Sequence, residues 1–378
     1  MAAPGTAARN HRGSVLVVVL ITLVFTAVML LTFIDKASTD LIVESRVVEA
    51  RRLRVEAYSA LEVTLAVLDN FRTVVGGSLR SPAEGWSDPL GFAAWEPSNG
   101  RKVDIEFDDE SGKLSLAQID LNTLVALFKS WEMTQTDADR LADALMTWMK
   151  KDYVATGTAL SDYENGELPY KVPARSLRSF QELAAIDVAR EVFYGKDGTP
   201  NELWWRFANA VSLYDYKQPN INSARPDVLA ALAGLPLSQQ QSMADYLAGA
   251  GSYRNRGPGF FQSLGEAVPV VGPVNFKGFG TQIQALRIRV TVHEGRSIFR
   301  LTAVVAPPGG AQTVQANATE GAATASTPPA ATPAANPATP STPSTAAPKK
   351  LNYPFTVLEI TENDELLPVP PASPPNHV

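Results

Sequence analysis

Arg12 to Phe71 reads RGSVLVVVLITLVFTAVMLLTFIDKASTDLIVESRVVEARRLRVEAYSALEVTLAVLDNF, and the reading of this stretch decides the fold. Ser14 to Ile34 contains no charged residue. At about 1.5 Å per residue this uncharged run makes a helix of about 31 Å, long enough to cross a bilayer. A removable secretory signal has an apolar core of about 7–15 residues and a small-x-small cleavage site, whereas this run is longer and ends in FIDKAS. Arg9 and Arg12 precede it and the bulk of the chain follows, so the positive-inside tendency places the amino end in the cytoplasm and the body outside. Beyond Ile34 the absence of Gly and Pro, and apolar residues at helical spacing (Val43, Val47, Ala50, Leu53, Ala57, Leu61, Leu65, Leu68), predict that the helix continues to about Phe71. Charged residues such as Glu49 and Arg52 line its wetter side.

The 378 residues are 45 % hydrophobic, enough for a folded body of two or three domains. There is no cysteine, which excludes disulfides and thiolate metal sites without fixing a compartment. With 33 basic against 39 acidic residues, net −6, the chain lacks the cationic excess of a nucleic-acid binder. The three histidines are His11, His293 and His377. They are too few and too scattered for a His-based triad or a multi-His zinc site in the body, and no phosphate-loop, nucleophile-elbow or HExxH pattern occurs. The paired acids Asp108 and Asp109 read as the end of a hairpin. A non-enzyme is expected.

After a Gly/Pro-rich connection over 76–100, RKVDIEFDDESGKLSL alternates through Val103, Ile105 and Phe107, turns at Glu110 to Gly112 and resumes at Leu114 and Leu116, predicting a β-hairpin. Two similar helical blocks follow. The first contains IDLNTLVALFKSW, DADRLADALMTWMKKD and RSFQELAAI; the second contains PNINSARPDVLAALAGL, QQQSMADYLAGAG and GFFQSLGEAVPV. They read as an internal duplication, with Asn122 and Asn222, each followed by Thr123 or Ser223, as helix caps. Strands return at QIQALRIRVTVHEGRSIFRLTAVV and NYPFTVLEI, separated by an Ala/Pro/Thr-rich segment too poor in large apolar residues to fold.

A short basic leader ending in Gly13, followed by an uninterrupted apolar helix that becomes amphipathic, resembles type IV pilins and type II secretion pseudopilins. The resemblance implies that prepilin peptidase cuts after Gly13 and methylates Ser14. Most members carry Glu at the fifth mature position, where this chain has Val18. That lack, the large size, and the residues Leu121, Asn122, Thr123, Leu124, Trp148 and Asp152, then Asn220, Ile221, Asn222, Ser223, Ala224, Val228, Leu229 and Leu232, resemble the K-type minor pseudopilins, over roughly 8–71 and 100–305.

The implied fold is α+β: a transmembrane and spine helix, and a pilin-like domain with an antiparallel sheet, into which a large all-α domain of two helix-hairpin-helix-like repeats is inserted. The expected boundaries are leader 1–13, transmembrane part 14–34, outer spine 35–75, loop and hairpin 76–117, helical domain 118–272, second hairpin 273–305, unstructured loop 306–350, last strand 351–363 and tail 364–378. The implied role is the tip of the secretion pseudopilus in the bacterial inner membrane, initiating assembly and export. Its partners would be the I- and J-type minor pseudopilins, the major pseudopilin and prepilin peptidase, with crosslinks to other minor pseudopilins expected from Leu53 or Leu61. A minor pilin of a type IV pilus and a generic anchored binding protein are the alternatives.

The second block also resembles DNA-holding helix-hairpin-helix modules, but Pro236 in its hairpin has no N–H to offer phosphate and LPLSQQQSMADY has no cation. No cofactor is certain. K-type proteins bind calcium, and the acidic loop with Asp162, Glu164 and Glu167 offers hard oxygen ligands. Lys150 and Lys151, standing where the family carries acids, oppose a cation there.

Overall fold

The computed structural model describes residues 12–156, 163, 171–254, 257–314 and 354–363. One continuous helix, α1 (Arg12–Val74), carries both the apolar run and the amphipathic stretch. It is followed by a short turn of helix, α2 (Pro89–Phe92), and then by strand β1 (Lys102–Asp109). A 3₁₀ turn over Glu110–Gly112 leads out of β1 into the helical body.

That body runs in the order β2 (Leu114–Ser115), α3 (Leu121–Lys129), α4 (Gln135–Met149), α5 (Asp187–Phe193), α6 (Glu202–Ala210), β3 (Val211–Ser212), β4 (Tyr214–Asp215), α7 (Pro226–Ala233), α8 (Leu237–Leu247) and α9 (Val268–Val271). The chain then returns to the sheet with β5 (Leu286–Glu294) and β6 (Ser297–Ala306), adds β7 (Gln312–Thr313), and closes with β8 (Thr356–Glu362).

The main sheet has the order β1-β5-β6-β8 and is antiparallel throughout. Every second residue of β5 faces α1, so Ile288, Val290 and Val292 are fully buried there, as are Leu301, Ala303 and Val305 from β6. Against them α1 lays Leu53, Ala57, Ala60, Leu61, Leu65 and Leu68, a set spaced by three, four and seven as one face of a helix requires. Alanines at 57 and 60 let the helix axis approach the strands closely.

Among the described residues, the opposite face of the sheet is covered at the end where Val304 and Ala306 meet Tyr214 and Tyr216 of the helical body. A second, larger core fills that body. Leu124, Leu127, Phe128, Leu141, Leu145, Phe193 and Phe207 are fully buried within it, and Phe207 stacks on Phe193 at 5.0 Å.

The α+β, pilin-like fold is as expected, but three local expectations need correction. The hairpin over Val103 to Leu116 does not form: β1 pairs instead with β5, Phe107 opposite Ile288, and β2 pairs in parallel with β3. Alternation fixed the strand and its faces but carried no information on which distant strand would pair with it. The inserted body is not purely helical, since β2 with β3, and β4 with β7, form two small sheets. Gln312–Thr313 lie inside the segment expected to lack structure, yet they pair with Tyr214–Asp215. Positions 315–353, which hold the rest of that segment, and the tail over 364–378 lie outside the described residues.

Candidate assembly surface and domain junction

Among the described residues, none covers the apolar half of α1. Leu16, Val18, Phe25, Leu31 and Phe33 are all more than half exposed, and the helix is rich enough in such residues, at a mean hydropathy of 2.9 over its most apolar window, to cross a membrane. Exposed apolar surface on this scale needs lipid or a partner. Gly13 and Ser14 fall in the first turn of the helix, and Val18 stands on its bare surface. Past the apolar run, Leu41, Ile42, Val43 and Val47 stay exposed before the sheet takes over one face at Leu53. Leu53 and Leu61, expected to touch neighbouring subunits, are instead 2 % and 4 % exposed against the chain's own sheet. Helical spacing marked the apolar face correctly but could not say whether it is covered by the same chain.

Two ionic clamps hold α1 to the sheet. Arg101, just ahead of β1, reaches Glu56 at 3.0 Å and Glu294 at 2.9 Å, and Glu56 also accepts the backbone N–H of Ser98 at 2.7 Å. At the other sheet edge Glu362 of β8 accepts from Arg54, at 2.8 and 3.0 Å, and from the Tyr58 hydroxyl at 2.7 Å.

The helical body joins the sheet through a buried polar knot. The DDESG segment at the end of β1 meets the NINSAR segment ahead of α7. Asp109 accepts the N–H of Ser111 at 2.9 Å, the amide of Asn220 at 2.7 Å and the hydroxyls of Ser111 and Ser223. Its carboxyl is pushed up to about 6 by burial, with the hydrogen bonds pulling the other way. On either side of it the charges are paired: Asp108 with Arg225, and Glu110 with Lys113 and Arg287. Burial alone would raise Glu110, but the two cations outweigh it and hold the carboxyl below its ordinary range. The strand ends are stitched by Asn220 N–H to Ser111 C=O at 2.7 Å and Arg225 N–H to Gly112 C=O at 3.1 Å. A Cβ on Gly112 would lie 2.2 Å from the carbonyl oxygen of Ser223, so this close crossing requires glycine.

The asparagines expected to cap helices do other work. Asp120 caps α3, accepting the N–H of Thr123 at 2.7 Å, while Asn122 lies inside the first turn with its side chain exposed. The start of α7 has no side-chain cap. Asn222 accepts the Phe261 N–H at 2.6 Å and donates to the carbonyls of Phe261 and Thr281 at 3.1 and 3.2 Å, tying three loops together from a buried position. Ser223 donates to Asp109. An Asn followed by Ser or Thr suits a cap, yet a pre-organised Pro226 at the start of α7 removes the need for one there. Asp162, Glu164 and Glu167 lie outside the described residues, and among the described residues no three His, Asp or Glu side chains converge as a metal group.

The first-domain model of the family described as Type II secretion system (T2SS), protein K, matches residues 108–196. Over these residues the chain is similar to the first domain of type II secretion protein K. The matched segment opens at Asp108, within the knot, and runs through α3, α4 and α5. No curated protein matches. Among solved structures, a chain from the crystal structure of the GspK-GspI-GspJ complex of the enterotoxigenic Escherichia coli Type 2 Secretion System is similar, at 15 % identity and a TM-score of 0.47, covering 70 % of this chain and 95 % of that one.

Proposed function

We propose that this protein K chain is the tip subunit of the type II secretion pseudopilus. It would be anchored once in the inner membrane with its amino end in the cytoplasm and its body in the periplasm, and would help start assembly and the export of folded proteins. The observation that carries the reading is α1: its first half is bare and apolar, its second half seals a pilin-like sheet, and nothing interrupts it between the two.

Such a helix can leave the bilayer laterally into a filament without unfolding its head. In the family a carboxylate at the fifth mature position neutralises the amino terminus of the subunit ahead, and a buried, unpaired carboxylate in lipid is costly. Val18 fits a subunit with no neighbour ahead. The I- and J-type minor pseudopilins are its proposed neighbours along α1, with prepilin peptidase cutting at Gly13 and methylating Ser14.

Mass spectrometry of the mature protein tests the processing step. A methylated Ser14 terminus that disappears in Gly13→Val supports it, and an intact leader in cells with active prepilin peptidase overturns it. Finding this chain crosslinked to copies of itself along the shaft would overturn the tip position.

A further inference from the structure

The Asp109 carboxylate stands apart from every other charge at the junction. It is buried, it lies on the last residue of β1, and its partners from the other body, Asn220 and Ser223, are neutral. The cations nearby are already taken: Arg225 by Asp108, Lys113 and Arg287 by Glu110. Arg80 sends its guanidinium to Glu84 and offers the knot only its carbonyl, which accepts from Asn220 at 2.9 Å. Tyr216 donates its hydroxyl to the carbonyls of Glu110 and Lys113 and is held protonated by burial. Gln284 and Ala285, which lead into β5, meet Ser111 through backbone groups alone.

We propose that Asp109 is a proton-operated latch, which tightens the hold of the sheet on the helical body when the carboxyl is neutral and loosens it when the carboxyl is charged. The observation is independent of the tip assignment. A charge held only by neutral donors out of water gains solvation when the junction opens, whereas the neutral carboxyl loses little by staying and can donate to either serine hydroxyl.

The sign follows from linkage. The closed junction binds its proton up to a pH of about 6, and the opened, hydrated carboxyl would return to its ordinary value of 3.8. Closure is therefore favoured below both values and weakens as pH rises through about 6, by roughly fiftyfold in the closed-to-open ratio between about pH 4 and about pH 7.

Hydrogen exchange of the full-length protein in detergent micelles, corrected for the intrinsic pH dependence of exchange, reads this directly. The amides of Asn220 and Arg225, which cross the junction, should lose about 25-fold in protection between pH 4.5 and pH 7 in the wild type. Asp109→Asn should abolish that slope. A second variant, Ser223→Ala, removes one donor to the charged form and should move the midpoint upwards, a result readable even where Asp109→Asn does not fold. A flat wild-type profile, an unchanged slope in Asp109→Asn, or an unmoved midpoint in Ser223→Ala overturns the latch.

Discussion

Arg101 lies 3.0 Å from Glu56, with the two side chains 4 % and 7 % exposed, so the spine helix is bonded to the sheet by an ion pair sealed from water. Breaking one partner of such a pair leaves an uncompensated charge. Arg101→Ala should therefore destabilise the head by about 3–5 kcal/mol, and replacing both residues with leucine should recover a large part of that loss. Denaturant unfolding followed by tryptophan fluorescence compares the three proteins; a single substitution no worse than the double one contradicts the burial argument.

Leu65→Ala removes a buried side chain at the centre of the helix–sheet contact and should cost about 2–5 kcal/mol. Val55, 67 % exposed on the same helix, should tolerate alanine to within about 0.5 kcal/mol. Equal effects in thermal unfolding would mean that another face of α1 carries the sheet.

Three polar substitutions separate capping from cross-linking. Asn222→Ala strands one N–H and two carbonyl partners at a buried site and should cost about 2 kcal/mol or more. Asp120→Ala should cost about 1 kcal/mol as a lost cap. Asn122→Ala, on an exposed helix face, should be close to neutral, and a large loss there would restore the capping role expected for it.

Acid sensitivity should show two opposing contributions. Glu110 titrates below its ordinary 4.5 in the folded chain, so the stability it supplies is present above that value and disappears as pH falls through the lowered one. Asp109 acts in the opposite sense, costing stability as pH rises from its ordinary 3.8 through about 6. Tm plotted against pH should peak in mild acid. Glu110→Gln should flatten the acid limb alone; an acid limb that survives unchanged would assign it to other carboxylates.

Photo-crosslinkers at Ile42, Val43 or Val47 should capture other pseudopilins in assembling cells, while the same group at Leu53 or Leu61 should react within the chain, because those two face its own sheet. Intermolecular products from Leu61 but not from Val43 would reverse this assignment of faces.

Much of the architecture is legible in the sequence because it is written in local periodicity. The length of α1, the β5–β6 hairpin and the existence of helices α3, α4, α7 and α8 each follow from spacing within one segment. What is not legible is long-range partnership. Phe107 alternates as a strand residue should, but nothing near it in sequence announces Ile288 opposite. The knot is not legible for the same reason: Asp109 and Ser223 each have a common local role, hairpin end and helix cap, and only their meeting across the junction gives them another. A cluster of Asp, Asn and Ser in two motifs, neither beside an obvious site, was the available signal.

The β1–β5 pairing has one more consequence, for the order of events when the chain is made. Everything from Glu110 to Ala285 intervenes between these adjacent strands, and β8 reaches its place beside β6 only after another long detour. Pairing across such separations is slow until the intervening residues have become compact and brought the ends together. Condensation of the helical body is what brings the ends of β1 and β5 within reach of each other. Until β8 is in place, β6 presents an open edge to its surroundings.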